Sequence, residues 1–210
     1  MTEVATRTAD EAAELEPSRR ARKKRRTRDE LMSHAARLFA ERGFDAVTTE
    51  DIADAADVSQ RTFFRHFPSK EAVLYGHVDE LRETMADAFA ARPADEHVVD
   101  AVRAAVATIA DHYAANRDEA FLQARLAASF PSVAAHARAV VQTDWEHELT
   151  AAIAHRMAVD PLIDPFPEVL AGAAFAAFRS AIRRWGADDG RSDFGALLDE
   201  SLAVLAALAD

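Results

Sequence analysis

The chain has 210 residues, half of them apolar, with no cysteine, six glycines and seven prolines. Disulfide frameworks, cysteine zinc fingers and thiol catalysis are thereby excluded, and no run of about 18 uncharged apolar residues offers a membrane span. The net charge of −11 would argue against nucleic acid, but residues 19–70 hold 13 Lys and Arg against eight acids, while residues 1–18 hold one against five and residues 71–210 hold 11 against 23. A basic segment joined to an acidic body is the asymmetry expected where one end of a protein faces phosphates.

Residues 1–18 are polar and small, without apolar periodicity. They have no apolar h-region, so no signal peptide is expected and the cytoplasm is the simple location. From Arg19 to Arg28, eight residues in ten are basic. A block of one charge reads either as a solvated tail or as an arm that contacts nucleic acid. Residues 1–26 are therefore expected as a disordered arm, with Arg22, Lys23, Lys24, Arg25 and Arg26 as its DNA-contacting residues.

Sparse Gly and Pro between long Ala- and Leu-containing stretches predict helix almost throughout. A first helix is predicted from Thr27, because Thr27 and Glu30 have capping-box spacing. Leu31, Ala35, Leu38 and Phe39 then share one face, and Gly43 suits a left-handed end. Thr48 or Thr49 can cap a short second helix, whose Glu50 and Asp51 suit the N-terminal dipole. Asp57-Val58-Ser59 reads as a tight turn, and Ser59 caps a third helix from Gln60 to about Phe67, which Pro68 stops. Two short helices around a tight turn make a helix-turn-helix, whose second helix fits a major groove. Phe63 and Phe67, at i and i+4, point inward. Gln60, Arg61, Thr62, Phe64, Arg65 and His66 remain on or near the outside, a surface rich in donors for base edges and phosphates.

Ser69 caps a fourth helix from Lys70, with Leu74, Val78, Leu81, Met85 and Phe89 as one continuous stripe. Val98 to Tyr113 carries a fifth. Further helices are predicted over 116–130, 131–157, 168–185 and 192–208, about nine in all, with a Pro-containing loop at 158–167. The fold class is all-α: a helix-turn-helix domain over 27–70 and a helical domain over 71–210.

The chain resembles the TetR family of regulators. The resemblance rests on Leu38-Phe39, Gly43-Phe44, Thr48-Thr49, Ile52-Ala53, Ala56, Val58-Ser59 and the run Thr62 to Glu71 (Thr-Phe-Phe-Arg-His-Phe-Pro-Ser-Lys-Glu). It implies a transcription regulator, usually a repressor, that binds double-stranded DNA. Thr48, Thr49 and Lys70 would meet phosphates, with Gln60, Arg61, Thr62 and Arg65 facing the groove and His66 able to bond a phosphate. Phe64 stands where the family usually has Tyr, keeping the ring without its hydroxyl. Asp57 stands where the family usually has Gly, in a turn that needs positive φ, which Asp tolerates better than most residues.

The resemblance also implies a homodimer through the last two helices, 168–185 and 192–208, and therefore a palindromic operator. It implies a small apolar or acyl-type ligand, because the chain more loosely resembles actinobacterial members with an acyl-CoA-like ligand-binding domain. Phe121, Phe130, Trp145, Phe175 and Phe178 are the candidate lining, with core packing as the alternative for each. Arg125 would bind an acidic ligand group or form an ion pair. Ligand binding would move the fourth helix, with Gly76 as its weak point, and so release DNA. No cofactor, metal or catalytic residue is implied. Asp144, His147, Glu148 and His155 form no metalloprotease motif and read as exposed helix residues. A helical lipid carrier would explain the C-terminal region but not the basic segment.

Overall fold

The computed structural model describes residues 18–139 and 144–209, and these form eleven α-helices with no strand among the described residues. They divide into two compact units, the first ending at Gly76 and the second beginning at His77. The all-helical expectation is met.

The first unit holds α1 (Arg19–Arg42), α2 (Thr49–Ala55), α3 (Gln60–His66) and α4 (Lys70–Leu74). Helix α1 corrects the predicted start at Thr27: the basic stretch 19–26, expected to be disordered, is helical. Arg and Lys have high helix propensity. The Ser18 hydroxyl accepts from the Ala21 N–H at 3.2 Å, and Arg26 bonds Glu30 one turn on at 2.9 Å. Met1 to Pro17, the rest of the expected arm, lie outside the described residues. Leu31, Ala35, Leu38 and Phe39 are buried as their spacing predicts, joined by Met32. Gly43 ends the helix at φ 82° and ψ 153°, a region open essentially to glycine.

Leu38, Phe39, Phe44, Ile52, Phe63 and Phe67 are all buried in this unit. The Phe39 and Phe44 rings lie 4.9 Å apart, and those of Phe63 and Phe67 lie 5.9 Å apart. Two of these four rings come from the recognition helix and its C-cap, so the core fixes where that helix sits.

The predicted fourth helix is not continuous. Helix α4 ends at Leu74, residues 75–77 form a turn, and α5 (Val78–Ala90) begins anew. A methyl group at Gly76 would overlap the Met32 side chain, so α1 packs closely against this turn. The Gly76 carbonyl leaves the helical ladder and accepts from Arg28 instead.

The second unit continues with α6 (Val98–Ala115), α7 (Arg117–Ser129), α8 (Pro131–Arg138), α9 (Glu146–Met157), α10 (Phe166–Ala187) and α11 (Phe194–Ala209). Helices α8 and α9 occupy the stretch predicted as one helix over 131–157, and residues 140–143 of it lie outside the described residues. The core joins Met85 and Phe89 of α5 with Val102, Val106 and Ile109 of α6, Leu149 and Ile153 of α9, Phe175 and Ala181 of α10, and Leu198 and Leu202 of α11. An aromatic cluster closes one end. Phe194 stacks on Tyr113 at 4.5 Å and meets Trp185 edge-on at 5.6 Å. The Trp185 indole N–H donates to the Ser192 carbonyl at 3.1 Å, so its polar end is satisfied. No helix among the described residues is long and apolar enough to cross a membrane.

Candidate nucleic-acid interface

The two short helices are set by their caps. The Thr48 hydroxyl accepts from the Asp51 N–H at 3.1 Å, and the Asp51 carboxylate accepts from the Thr48 N–H at 2.8 Å, which closes a capping box on α2. Hydrogen bonds from Thr48 hold the Asp51 carboxyl below the usual carboxylate range, and Arg42 adds to this. Asp57 takes the turn at φ 53°, the positive value expected of it. The Val58 N–H reaches back to the Ala53 carbonyl at 3.0 Å. Ser59 then caps α3, accepting from the Thr62 N–H at 3.2 Å.

Helix α3 turns Phe63 inward and leaves Gln60, Arg61, Phe64 and Arg65 exposed. Arg61 and Arg65 form no hydrogen bond or ion pair among the described residues, so their guanidiniums are available to guanine edges or phosphates. The Phe64 ring is 50% exposed, set edge-on to Phe63, and presents an apolar surface beside the two arginines. Gln60 donates to the Thr49 hydroxyl at 3.2 Å, which ties α3 to the start of α2. Thr62 is half-buried and bonds the Ser59 hydroxyl at 3.0 Å.

His66 is half-buried at the end of α3, and its Nδ1 has no partner. Burial pushes its pKa down, and the cations of Arg65, Arg28 and Lys24 push it further.

Lys70, which the resemblance gives to a phosphate, bonds main-chain carbonyls in the free chain. Its ammonium donates to the carbonyls of Phe44 at 2.9 Å and Val47 at 3.3 Å and sits 4.3 Å from the Phe44 ring centre. Carbonyls in the loop between α1 and α2 have no helical partner, and Lys70 supplies one. On α1, Arg22, Lys23, Lys24, Arg25 and Arg26 are all exposed, and Arg26 pairs with Glu30.

The sequence reading missed Arg28. It lies on the buried face of α1, three and seven residues before Leu31 and Ala35, and that spacing was the available signal. Its guanidinium donates to the His66 carbonyl at 3.0 Å and stacks over the Phe67 ring at 4.3 Å.

The residues named as ligand lining pack as follows among the described residues. Trp145 and Phe175 are buried together with rings 5.9 Å apart. Phe178 is buried against Tyr113 and Phe194, and Phe121 is half-buried against Trp185. Phe130 is half-buried where α7 gives way to α8. Arg125 is exposed on α7, beside the buried Leu122 and Leu126. A cleft of about 250 Å³ between α6 and α11 is lined by other residues, Asp100, Arg103, Ala107 and Leu202 among them.

A capped pair of short helices, with a cationic outer face on the second, defines a helix-turn-helix DNA-binding protein. More particularly, the chain belongs to the TetR family of transcription regulators. The family described as "Bacterial regulatory proteins, tetR family" matches residues 31–75, and the MftR C-terminal domain matches residues 96–209. The transcriptional regulator TcmR of Streptomyces glaucescens is 35% identical over 175 residues, 80% of this chain and 77% of that one. The transcriptional repressor KstR2 of Rhodococcus jostii is 39% identical over 113 residues, 45% of this chain and 55% of that one. Among solved structures, the repressor FadR of Thermus thermophilus in complex with lauroyl-CoA aligns with a TM-score of 0.54 at 26% identity, covering 85% of this chain and 92% of that one.

Proposed function

We propose that this chain is a ligand-responsive repressor of the cytoplasm that binds a palindromic operator as a homodimer. The observation that carries the DNA contact is the exposed, uncommitted pair Arg61 and Arg65 on a helix whose other face is locked by Phe63. Arg22, Lys23, Lys24, Arg25 and Arg26 track phosphates from α1, a sequence-independent and salt-sensitive contribution. Thr48 and Thr49 meet the backbone at the start of α2, while Gln60, Thr62, Phe64 and His66 complete the contacts of α3. Lys70 acts by holding the loop before α2 in place.

The dimer forms through α10 and α11. The outer side of α10 carries Val169, Gly172, Ala173 and Ala176, small enough to admit a second copy closely. Leu162 and Ile163, more than four-fifths exposed, and Val204, 55% exposed, are apolar surface that a second copy would cover. Two recognition helices related by a two-fold axis require two half-sites.

The ligand is an acyl-type molecule held in the second unit. Support comes from the lauroyl-CoA complex of the Thermus protein and from the buried, unpartnered indole N–H of Trp145, a donor suited to an acyl carbonyl. Phe175 and Phe178 supply apolar surface beside it, Phe121 and Phe130 lie further along, and Arg125 reaches an acidic group only from outside. A ligand that binds one arrangement of α5 better than another releases DNA through the turn at Gly76.

The test is binding to the DNA upstream of the chain's own gene, beside scrambled DNA, at two salt concentrations. The Arg61→Ala/Arg65→Ala protein should lose operator affinity by at least about tenfold, since each base-edge Arg contributes roughly 1–3 kcal/mol. Added lauroyl-CoA should release the parent protein. A folded protein that selects no site from random-sequence DNA would sink the reading.

A further inference from the structure

Of the eight basic residues between Arg19 and Arg28, seven are exposed and one is turned inward. The Arg28 guanidinium spans two carbonyls ten residues apart in the chain. Nη1 donates to His66 at 3.0 Å, while Nε and Nη2 donate to Gly76 at 3.1 Å and 2.9 Å. His66 is the last residue of the recognition helix, where carbonyls lack helical partners and the dipole favours a cation. Gly76 is the last residue of the DNA-binding unit, in the turn between α4 and α5. Met32, four residues on from Arg28 and so on the same face of α1, lies so close to Gly76 that a side chain there would require Met32 to shift. Helix α1 therefore grips Gly76 by its carbonyl and its α-carbon at once, and holds the end of α3 with the same guanidinium.

We propose that Arg28 is a positioning residue that fixes the recognition helix relative to Gly76, so that a change in chain direction at Gly76 reaches α3 through one side chain. The proposal rests on the reading of the chain as a DNA-binding regulator. Arg28 differs from its basic neighbours in function: they meet phosphates, whereas it sets the angle from which Arg61 and Arg65 enter the groove. The role requires arginine. A planar fork can send donors to two carbonyls while stacking on Phe67, whereas a lysine ammonium is a compact point charge that lacks the planar geometry.

The experiment compares the parent with Arg28→Lys, Arg28→Met and, as a phosphate-contact reference, Lys23→Gln. Each is titrated with the operator fragment and with scrambled duplex over a series of salt concentrations. Both Arg28 variants should lose about tenfold in the ratio of operator to scrambled affinity, the size of one lost hydrogen bond from a charged donor, with the salt slope of the parent. Lys23→Gln should weaken both duplexes alike and lower the slope by about one. Hydrogen exchange on the free proteins gives a readout that needs no DNA. In Arg28→Lys the amides at the end of α3 and those of residues 74–78 should speed up together. Arg28→Lys matching the parent in selectivity would overturn the proposal. So would equal weakening on both duplexes with a slope lowered by about one, which would make Arg28 another phosphate contact. Faster exchange at only one of the two segments, or at neither, would also overturn it, and would do so even if Arg28→Met failed to fold. If the parent selects no DNA at all, the regulator reading falls, and the exchange data still decide whether Arg28 links the two segments.

Discussion

The two units use their aromatic residues in opposite ways. In the first, Phe39, Phe44, Phe63 and Phe67 are buried so that a few polar side chains of α2 and α3 stand outside at fixed angles. In the second, Tyr113, Phe175, Phe178, Trp185 and Phe194 fill the interior between helices. A surface that reads DNA must present the same atoms every time, so its supporting core admits little change. This contrast explains why the helix-turn-helix is recognisable from local signals, whereas the aromatic residues of the second unit read as core.

The largest effect expected from this contrast is at Phe63. Truncating a fully buried phenylalanine costs about 3–5 kcal/mol, and Phe63→Ala should lose that much in urea denaturation followed by circular dichroism. DNA binding should go with it. Both tryptophans, Trp145 and Trp185, belong to the second unit, so the native emission spectrum should be unchanged. A shifted emission in native buffer would mean that the two units do not hold their cores separately.

A smaller effect is expected at Gly76. Gly76→Ala forces a methyl group into the Met32 side chain, and overpacking of this kind costs about 1–3 kcal/mol. The double variant Gly76→Ala/Met32→Ala should be less destabilised than the two single changes added together, because each relieves the other. Strict additivity in melting experiments would show that Met32 is not what keeps position 76 bare.

Much of the first unit was legible in the sequence because its signals are local. Ser59 and Thr48 cap the helices their positions predict, Asp57 takes the positive φ its turn requires, and Phe63 and Phe67 are buried at the spacing of one helical turn. The misses arose where a distant partner decides. Arg28 belongs to a basic block, and the resemblance gives Lys70 a phosphate, yet each finds main-chain carbonyls, those of Lys70 lying more than 20 residues away and those of Arg28 more than 35. The stripe from Leu74 to Phe89 keeps helical spacing across Gly76, so periodicity alone shows no break; at the break the Gly76 carbonyl accepts from Arg28 of another helix. The start of α1 was misplaced for a related reason. Repulsion within a basic block suggests disorder, but the propensity of Arg and Lys and the Ser18 cap favour helix.

The smallest effect separates the units by pH. Burial lowers the pKa of His66 in the first unit, as do the cations Arg65, Arg28 and Lys24. Burial also lowers that of His112 in the second, aided by His77 and opposed by Glu80. A histidine whose folded pKa is depressed binds fewer protons folded than unfolded, so stability is full above the ordinary value of 6.5 and is lost as pH falls through the folded value. The second unit also half-buries Glu119, whose pKa is pushed above its ordinary 4.5 by desolvation and pulled back by His77. That carboxyl has the opposite sign: its contribution is complete below 4.5 and is lost as pH rises through the raised folded value. Acidification from pH 7.5 towards 5 should therefore lower the melting temperature, and His66→Gln should reduce the loss. His112→Gln should reduce it as well, while Glu119 contributes with the opposite sign. Removing that offset with Glu119→Gln should make the second unit, followed by tryptophan emission, more acid-sensitive than in the parent. A melting temperature that rises steadily between pH 7.5 and 6 would show that neither histidine is held neutral by its surroundings.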